Sequence, residues 1–228
     1  MSTRPNNIEA QYYQSIVQNS LQHFQIAELI ANKSNASYGH AIIHVTYAIE
    51  EQIRSTFSFL KHQGFNIEEY KKLKKINSDH HFKHNMAFLI TILGILLPLI
   101  QKSNIITKFI NGIKVYQKLK TLKSDNSWWA KVENNRLQCI YVGMNDKIIS
   151  TPGNFSKQDY LEAKKYYKNL VSNSNKIKKL INSYNTYKLK DLQKYINKKE
   201  VKEMIRTAIS KIPTEQDRNK KFKSYPKG

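Results

Sequence analysis

The stretch "ASYGHAIIHVTYAIEEQIRSTFSFLKH", residues 36–62, contains a strong helical pattern of apolar residues. Its apolar residues recur three and four positions apart, the spacing that puts side chains on one face of an α-helix. These residues are Ala41, Val45, Ala48, Ile49 and Ile53. We therefore predict a long core helix over about residues 36–62.

Polar groups with chemical potential lie on this same helix. His40, His44 and Glu51 share one face by their spacing, and Glu50 and Glu51 stand among residues otherwise fit for a core. A carboxylate buried at such a position needs a charged or hydrogen-bonding partner. Arg54 is one candidate partner for the acidic pair, and an ordinary solvent-exposed Glu–Arg pair is the alternative.

A second long helix is predicted before this one. Apolar residues recur at helical spacing from residue 7 to residue 32, and "NKSNAS" then breaks the pattern, with Ser34 or Asn35 as the cap of the next helix. We expect the two helices to form an antiparallel hairpin.

Composition favours a helical protein in a reducing compartment. Of 228 residues, 40% are hydrophobic and 24% charged, with only 7 Gly and 5 Pro, which argues against a turn-rich sandwich. The single cysteine, Cys139, cannot form an internal disulfide. The first residues lack the apolar core of a signal peptide, so we expect a cytoplasmic protein.

An apolar run over residues 86–100, "MAFLITILGILLPLI", tests that expectation. It is shorter than the roughly 18–20 residues that a membrane helix needs. We predict that it is buried in the bundle, with a bend near Gly94 and Pro98. No stable membrane insertion is expected.

The net charge of +21 is unevenly distributed. Residues 1–60 contain three basic and four acidic side chains, whereas residues 154–228 contain twenty basic and seven acidic ones. This asymmetry predicts a polyanionic partner. RNA, including ribosomal RNA, is the first candidate, followed by DNA and then by an acidic protein surface.

The rest of the chain contains further helix signals. A third helix should begin near Ser78 and continue through the apolar run toward Leu122, and an extended segment is expected near residues 136–142. Ser156 and Asp159 have capping-box spacing and predict a fourth helix, and a fifth should cover about residues 189–209. We predict one helical domain over residues 1–211 and a basic disordered tail over residues 212–228.

The histidine-rich stretch "DHHFKH", residues 79–84, is open to three interpretations. His80 and His84 are one helical turn apart, as zinc ligands often are, but neither a zincin glutamate nor a cysteine partner accompanies them. A polar helix start is the second interpretation. The third is an RNA site in which His80 moves protons and Lys83 offsets phosphate charge. We predict no metal and no cofactor.

Four blocks in order resemble the AbiV-type abortive-infection proteins of the HEPN superfamily. They are "AELIANKSNASYGHA", "AIEEQIR", "DHHFK" and "NNRLQCIYVGMNDKIISTPGNFSKQDYLEA". The resemblance implies a mainly α fold, a HEPN-like antiparallel helical bundle. It also implies antiviral abortive infection, in which a phage-encoded protein triggers shutdown of translation, and it implies a homodimer.

The resemblance also implies site residues. The family's Glu-Glu-x-Gly-Lys motif matches Glu50, Glu51 and Arg54, and its His-x-x-Lys motif matches His80 and Lys83. Its "YVD" motif falls on residues 141–143, where Gly143 replaces the aspartate, with Asp146 as a potential substitute. The Arg-to-His spacing of many HEPN ribonucleases is absent, since His62 follows Arg54 too late and no histidine follows Arg136.

We therefore hypothesise a metal-independent endoribonuclease with a variant site. His80 would be the general acid/base, Lys83 and Arg136 would hold the phosphate, and Glu51 would orient one of them. Further contacts to RNA phosphates are expected from Arg54, His84, Lys164, Lys165, Lys178 and Lys179. The rival hypotheses are a non-catalytic binder that obstructs the translation machinery and a membrane-active toxin that exposes residues 86–100.

Overall fold

The structure is a computed structural model. It describes residues 7–65, 76, 78–80, 82–87, 90–91, 94, 128–129, 132, 136–137, 139, 143–145, 148–150, 152–183 and 190. Most of these residues belong to three long helices: α1 (Asn7–Ala31), α2 (Tyr38–His62) and α3 (Lys157–Ser183). A short antiparallel hairpin, β1 (Gly143–Asn145) and β2 (Ile148–Ser150), and a 3-10 turn at Pro152–Asn154 come before α3. The predicted helical bundle is confirmed.

The α1–α2 hairpin lies where the apolar periodicity placed it. The Ser20 hydroxyl of α1 donates to the Ala48 carbonyl of α2 at 2.8 Å, and the two helices pack along their length. The predicted cap of α2 was wrong: Ser37 caps the helix rather than Ser34 or Asn35. Ser37 has an extended backbone, and its hydroxyl bonds the His40 imidazole at 2.6 Å instead of a backbone N–H.

The capping box at the start of α3 is confirmed. Both the backbone N–H and the hydroxyl of Ser156 donate to Asp159 Oδ2 at 2.7 Å, and the Asp159 N–H bonds the Ser156 hydroxyl at 3.3 Å. This reciprocal pair satisfies donors that would otherwise be left without acceptors at the helix start.

The buried face of α3 packs on both other long helices, with Tyr167 stacked on Phe24 at 4.4 Å between ring centroids.

The segment with the clustered histidines, here called the histidine segment (the described residues from Asp79 to Gly94), is helical from His80 onward. Asp79 rather than Ser78 caps it, because Asp79 Oδ1 accepts from the Phe82 N–H at 2.8 Å. Its apolar side chains enter the core: Phe82, Met86, Ala87 and Ile90 are buried.

Gly94 shows how closely the end of the histidine segment packs on α3. A Cβ at Gly94 would lie 2.4 Å from the Cβ of Asn173, so only glycine permits this approach. The described part of the apolar run therefore lies against the bundle, while Pro98 lies outside the described residues. Among the helices that the structure describes, none is long and apolar enough to cross a membrane.

The extended segment predicted near residues 136–142 is misplaced. Arg136, Leu137 and Cys139, the residues of that range that the structure describes, are helical, whereas β1 pairs with β2 so that Gly143 lies opposite Ser150. Leu137 and Cys139 alternate with the polar Gln138, but so short an alternation does not separate a strand from a helix. Cys139 is buried as a core residue of a helical region. The hairpin lies instead at residues 143–150, just after the segment predicted as extended.

Several predictions fall outside the described residues. They are the continuation of the third helix through 95–122, nearly all of the fifth helix at 189–209, and the tail at 212–228. The boundary between domain and tail therefore stays a prediction.

Candidate functional site

A buried glutamate organises the polar groups between α2 and the histidine segment. Glu50 Oε1 lies 2.6 Å from His80 Nδ1 and 3.5 Å from His84 Nε2, while Glu50 Oε2 accepts from Lys83 Nζ at 3.0 Å. We call Glu50, His80, Lys83 and His84 the Glu50 network. It joins residues about thirty positions apart in the chain, so it fixes one element against the other.

Local sequence explains why three residues of the histidine segment reach one carboxylate. Positions 80, 83 and 84 have i, i+3, i+4 spacing, which puts their side chains on one helical face. The Asp79 cap sets the start of this helix, since its backbone carbonyl also accepts from the Lys83 N–H at 3.1 Å. The first turn therefore presents His80 and Lys83 to α2 together.

The network keeps Glu50 ionised despite its burial. Burial alone would raise the pKa of Glu50, but the hydrogen bond from His80, the close approach of His84 and the charge of Lys83 hold that pKa well below its usual range. An ionised carboxylate can only accept hydrogen bonds, so His80 must carry a proton on Nδ1. Its Nε2 is left for another partner, and the His80 side chain is 36% exposed.

The other two members of the network lie inside the protein. Lys83 is 5% exposed and His84 is fully buried. The predicted phosphate contacts from Lys83 and His84 would require them to leave these positions. In the present arrangement Lys83 neutralises and positions Glu50.

Glu51 and Arg54 form a separate cluster. Arg54 donates through one nitrogen to both oxygens of Glu51, at 2.6 and 2.9 Å, and through another to the Tyr12 hydroxyl of α1 at 3.0 Å. The structure thus brings His80 and Lys83 to Glu50, and Glu51 to Arg54. Sequence reasoning had assigned the orienting role to Glu51.

The predicted RNA-contacting lysines of α3 differ in their surroundings. Lys164 donates to Glu28 of α1 at 2.8 Å, next to the Tyr160 hydroxyl, which donates to the same carboxylate. Lys165 and Lys179 are exposed. Lys178 is buried, with Nζ 3.4 Å from the Ser55 hydroxyl and 5.1 Å from the centroid of the Tyr13 ring.

The remaining candidates have simpler positions. Arg136 is helical and half-buried, and Gly143 opens β1, whereas Asp146 lies outside the described residues. Burial raises the pKa of the Cys139 thiol to about 12, so this cysteine stays protonated and is no nucleophile at neutral pH. Within the described ranges, no group of three histidine, cysteine or acidic side chains could hold a metal ion.

The sequence identified Glu50 as part of the acidic motif, but the orienting role was predicted for its neighbour Glu51, because α2 was taken as a helix with one buried face. In the structure α2 is buried around most of its circumference, and polar residues such as Gln52, Ser55 and Thr56 are buried along with the apolar ones. The His-x-x-Lys spacing called for an acidic partner, but periodicity could not choose between two adjacent glutamates.

The chain is similar to a known protein family over the range that contains the Glu50 network. The family model described as AbiV, within the HEPN group, matches residues 10–172, well over half of the chain. No curated protein and no solved structure matches the chain. The matched range includes α2, the histidine segment and the first half of α3, and therefore the whole Glu50 network. The chain thus belongs to the AbiV family of abortive-infection HEPN proteins.

Proposed function

We propose that this protein is a phage-defence toxin that shuts down translation by cutting RNA without a metal ion. The observation that carries the proposal is the 2.6 Å contact between Glu50 and His80 Nδ1. A carboxylate in this position fixes the tautomer and orientation of an imidazole and stabilises its protonated form. His80 Nε2 is then oriented to move a proton.

The reaction needs only the RNA itself as nucleophile. His80 Nε2 takes the proton from a ribose 2′-hydroxyl, the 2′-oxygen forms a bond to the adjacent phosphorus, and the bond from phosphorus to the 5′-oxygen breaks. The 5′-oxygen leaves with a proton from water. The products are a 2′,3′-cyclic phosphate and a new 5′-hydroxyl end. Arg136 is retained as the proposed phosphate contact, since arginine matches phosphate geometry.

Glu50 and Lys83 act as positioning residues in this scheme. Neither reaches solvent, since Glu50 is 3% and Lys83 5% exposed, so neither touches RNA directly. We further propose that a phage-encoded protein activates the toxin, that the chain acts as a homodimer in the cytoplasm, and that RNA or the ribosome is the target. The family assignment supports these points.

A non-catalytic inhibitor of translation is the second candidate. The burial of three of the four network members favours this candidate, because a buried network of charges can serve to stabilise the packing of α2 against the histidine segment. In that case the basic side chains would block the translation machinery by binding RNA.

The test compares His80→Ala with His40→Ala in the full-length chain. His40 is an exposed histidine of α2 that lies outside the network and bonds only the Ser37 hydroxyl among the described residues. We expect His80→Ala to abolish toxicity in infected cells. It should also abolish the new 5′ ends that the wild-type protein produces in total RNA in the presence of EDTA. His40→Ala should preserve both.

Folding must be separated from chemistry in this test. Thermal unfolding of each purified variant shows whether His80→Ala still folds, and RNA affinity shows whether it still binds. A folded His80→Ala protein that stays fully toxic would refute the ribonuclease and favour the non-catalytic inhibitor. New ends that vanish with EDTA in the wild type would refute metal independence.

A further inference from the structure

The exposed face of α3 has an unusual charge pattern. From Ala163 to Ser183 the helix contains six lysines and no acidic residue. Lys164 is engaged by Glu28 and Lys178 is buried. The other four point to solvent: Lys165, Lys168, Lys176 and Lys179.

These four lysines, here called the lysine stripe, form one line along the helix. At 100° per residue they lie within an arc of about 80°, opposite the face that α3 buries. Fourteen residues separate the first from the last, which corresponds to about 21 Å along the axis. The stripe therefore presents four positive charges along one edge of the molecule.

Of the three long helices that the structure describes, only α3 has such a stripe. α1 contains no lysine, and α2 contains only Lys61. Like charges three or four residues apart destabilise a helix slightly, and two such pairs occur here, Lys165–Lys168 and Lys176–Lys179. The nearest acid in the helix, Glu162, can compensate only the first of them.

The side chains around the stripe favour a nucleic-acid backbone over a protein partner. Every exposed residue between Lys165 and Lys179 is polar, and the neutral ones are Asn169, Ser172 and Asn175. Amides and hydroxyls interspersed with lysines make the contacts that phosphates and sugars accept. A protein interface would need a buried apolar or aromatic anchor at its centre, and this face offers none.

We propose that the lysine stripe binds the phosphodiester backbone of RNA. The inference rests on the proposed function only in naming RNA as the partner, and it holds whether or not His80 cleaves what is bound. It moves the predicted contacts from Lys164 and Lys178, which the structure shows engaged or buried, to Lys168 and Lys176.

The experiment measures binding of a labelled single-stranded RNA to the full-length His80→Ala protein over a series of salt concentrations. The test variant adds Lys165→Gln, Lys168→Gln and Lys179→Gln, and leaves Lys176, which donates to Asn173 at 3.2 Å, unchanged. Each lost phosphate contact lowers the slope of log affinity against log salt by about 0.7 for single strands. We expect the slope to fall by about 2 and the affinity near 0.1 M salt to fall about 100-fold.

A matched control changes the same amount of charge elsewhere. Lys33, Lys61 and Lys190 are exposed and lie outside the stripe, so Lys33→Gln, Lys61→Gln and Lys190→Gln together should leave the slope nearly unchanged. Equal losses of salt slope and RNA affinity in both triple variants would show that binding depends on total charge, and would overturn the proposal that the lysine stripe binds RNA. No loss in the test variant would overturn it outright.

A second arm uses DNA of the same sequence. A contact to phosphates alone predicts that the test variant loses affinity for DNA by the same factor as for RNA. A loss confined to RNA would overturn the backbone assignment. Since these readouts are of binding in a variant that cannot use His80, their failure is separate from failure of the proposed cleavage.

Discussion

Two buried lysines in this protein have very different surroundings. Lys83 and Lys178 are 5% and 9% exposed, yet Lys83 Nζ lies 3.0 Å from the Glu50 carboxylate, whereas Lys178 Nζ has the Ser55 hydroxyl and the Tyr13 ring. In the part of the chain that the structure describes, no carboxylate pairs with Lys178. Burial lowers the pKa of Lys178 to about 8.

The difference shows what a buried charge needs in order to be tolerated. Around Lys83, the opposite charge of Glu50 at 3.0 Å offsets the loss of water. Around Lys178, one long hydrogen bond and a cation–π contact compensate only in part, so the ammonium is destabilised. The charges around Lys83 therefore stabilise the folded protein, whereas the charge of Lys178 destabilises it.

The largest test breaks the region around Lys83 with Glu50→Gln. This change keeps the shape but leaves Lys83 buried without its counter-charge, so we expect the free energy of unfolding to fall by about 3–5 kcal/mol near neutral pH. The ionised form of Glu50 is the stabilising one, since its folded pKa is lowered. Its contribution is present above about pH 4.5 and is lost as the pH falls, so wild type and variant should converge in acid. Urea unfolding at several pH values measures this.

Two further variants serve as controls for Glu50→Gln. Glu51→Gln removes the neighbouring charge from a partly exposed pair with Arg54 and should lower the free energy of unfolding by no more than about 1 kcal/mol. Lys83→Met added to Glu50→Gln removes the stranded charge and should restore part of the loss. Equal effects of Glu50→Gln and Glu51→Gln would contradict the assignment of Glu50 as the buried centre.

The second test removes the charge from the other region with Lys178→Met. The fall in pKa from 10.5 to about 8 corresponds to an unfavourable free energy of about 3 kcal/mol, which is fully present below pH 8. We therefore expect the variant to be more stable than wild type at pH 7 by up to about 3 kcal/mol. Urea unfolding of both proteins at that pH measures the gain.

The pH dependence of the wild type checks the same claim. Between about pH 8 and 10.5 the unfolded chain binds the Lys178 proton more tightly than the folded one, so stability should rise with pH in this range. Lys178→Met should lack this rise. Lys179→Met, at the exposed neighbour, should change stability by no more than about 0.5 kcal/mol and keep the rise. If Lys178→Met is less stable than wild type at pH 7, the buried charge of Lys178 does not destabilise the folded protein.

The smallest test concerns the helix start that presents His80 and Lys83 to Glu50. Asp79→Ala removes the acceptor of the Phe82 N–H and should lower the free energy of unfolding by about 1 kcal/mol. Ser78→Ala, at the exposed residue before it, should have an effect below about 0.5 kcal/mol. A larger loss of stability for Ser78→Ala than for Asp79→Ala in urea unfolding would identify Ser78 as the cap instead.

Local features of this protein could be predicted from the sequence because their causes are local. The periodicity of α1 and α2 and the Ser156–Asp159 capping box depend on residues within one or two turns of each other. The order of the motif blocks was enough to indicate the AbiV family, and the match over residues 10–172 confirms it. The hairpin at 143–150 was not predicted, because each of its strands is only three residues long and so short a strand has no recognisable alternating pattern.

Tertiary structure alone decided which charges meet. Helical spacing shows that His80, Lys83 and His84 share a face, but not whether Glu50 or Glu51 faces them, since the two differ by only 100° of rotation of α2. The same limit hid the burial of Lys178 in a lysine-rich helix. The partner of a buried charge depends on how distant helices rotate and pack against each other, and a pattern within one helix contains no information about that rotation.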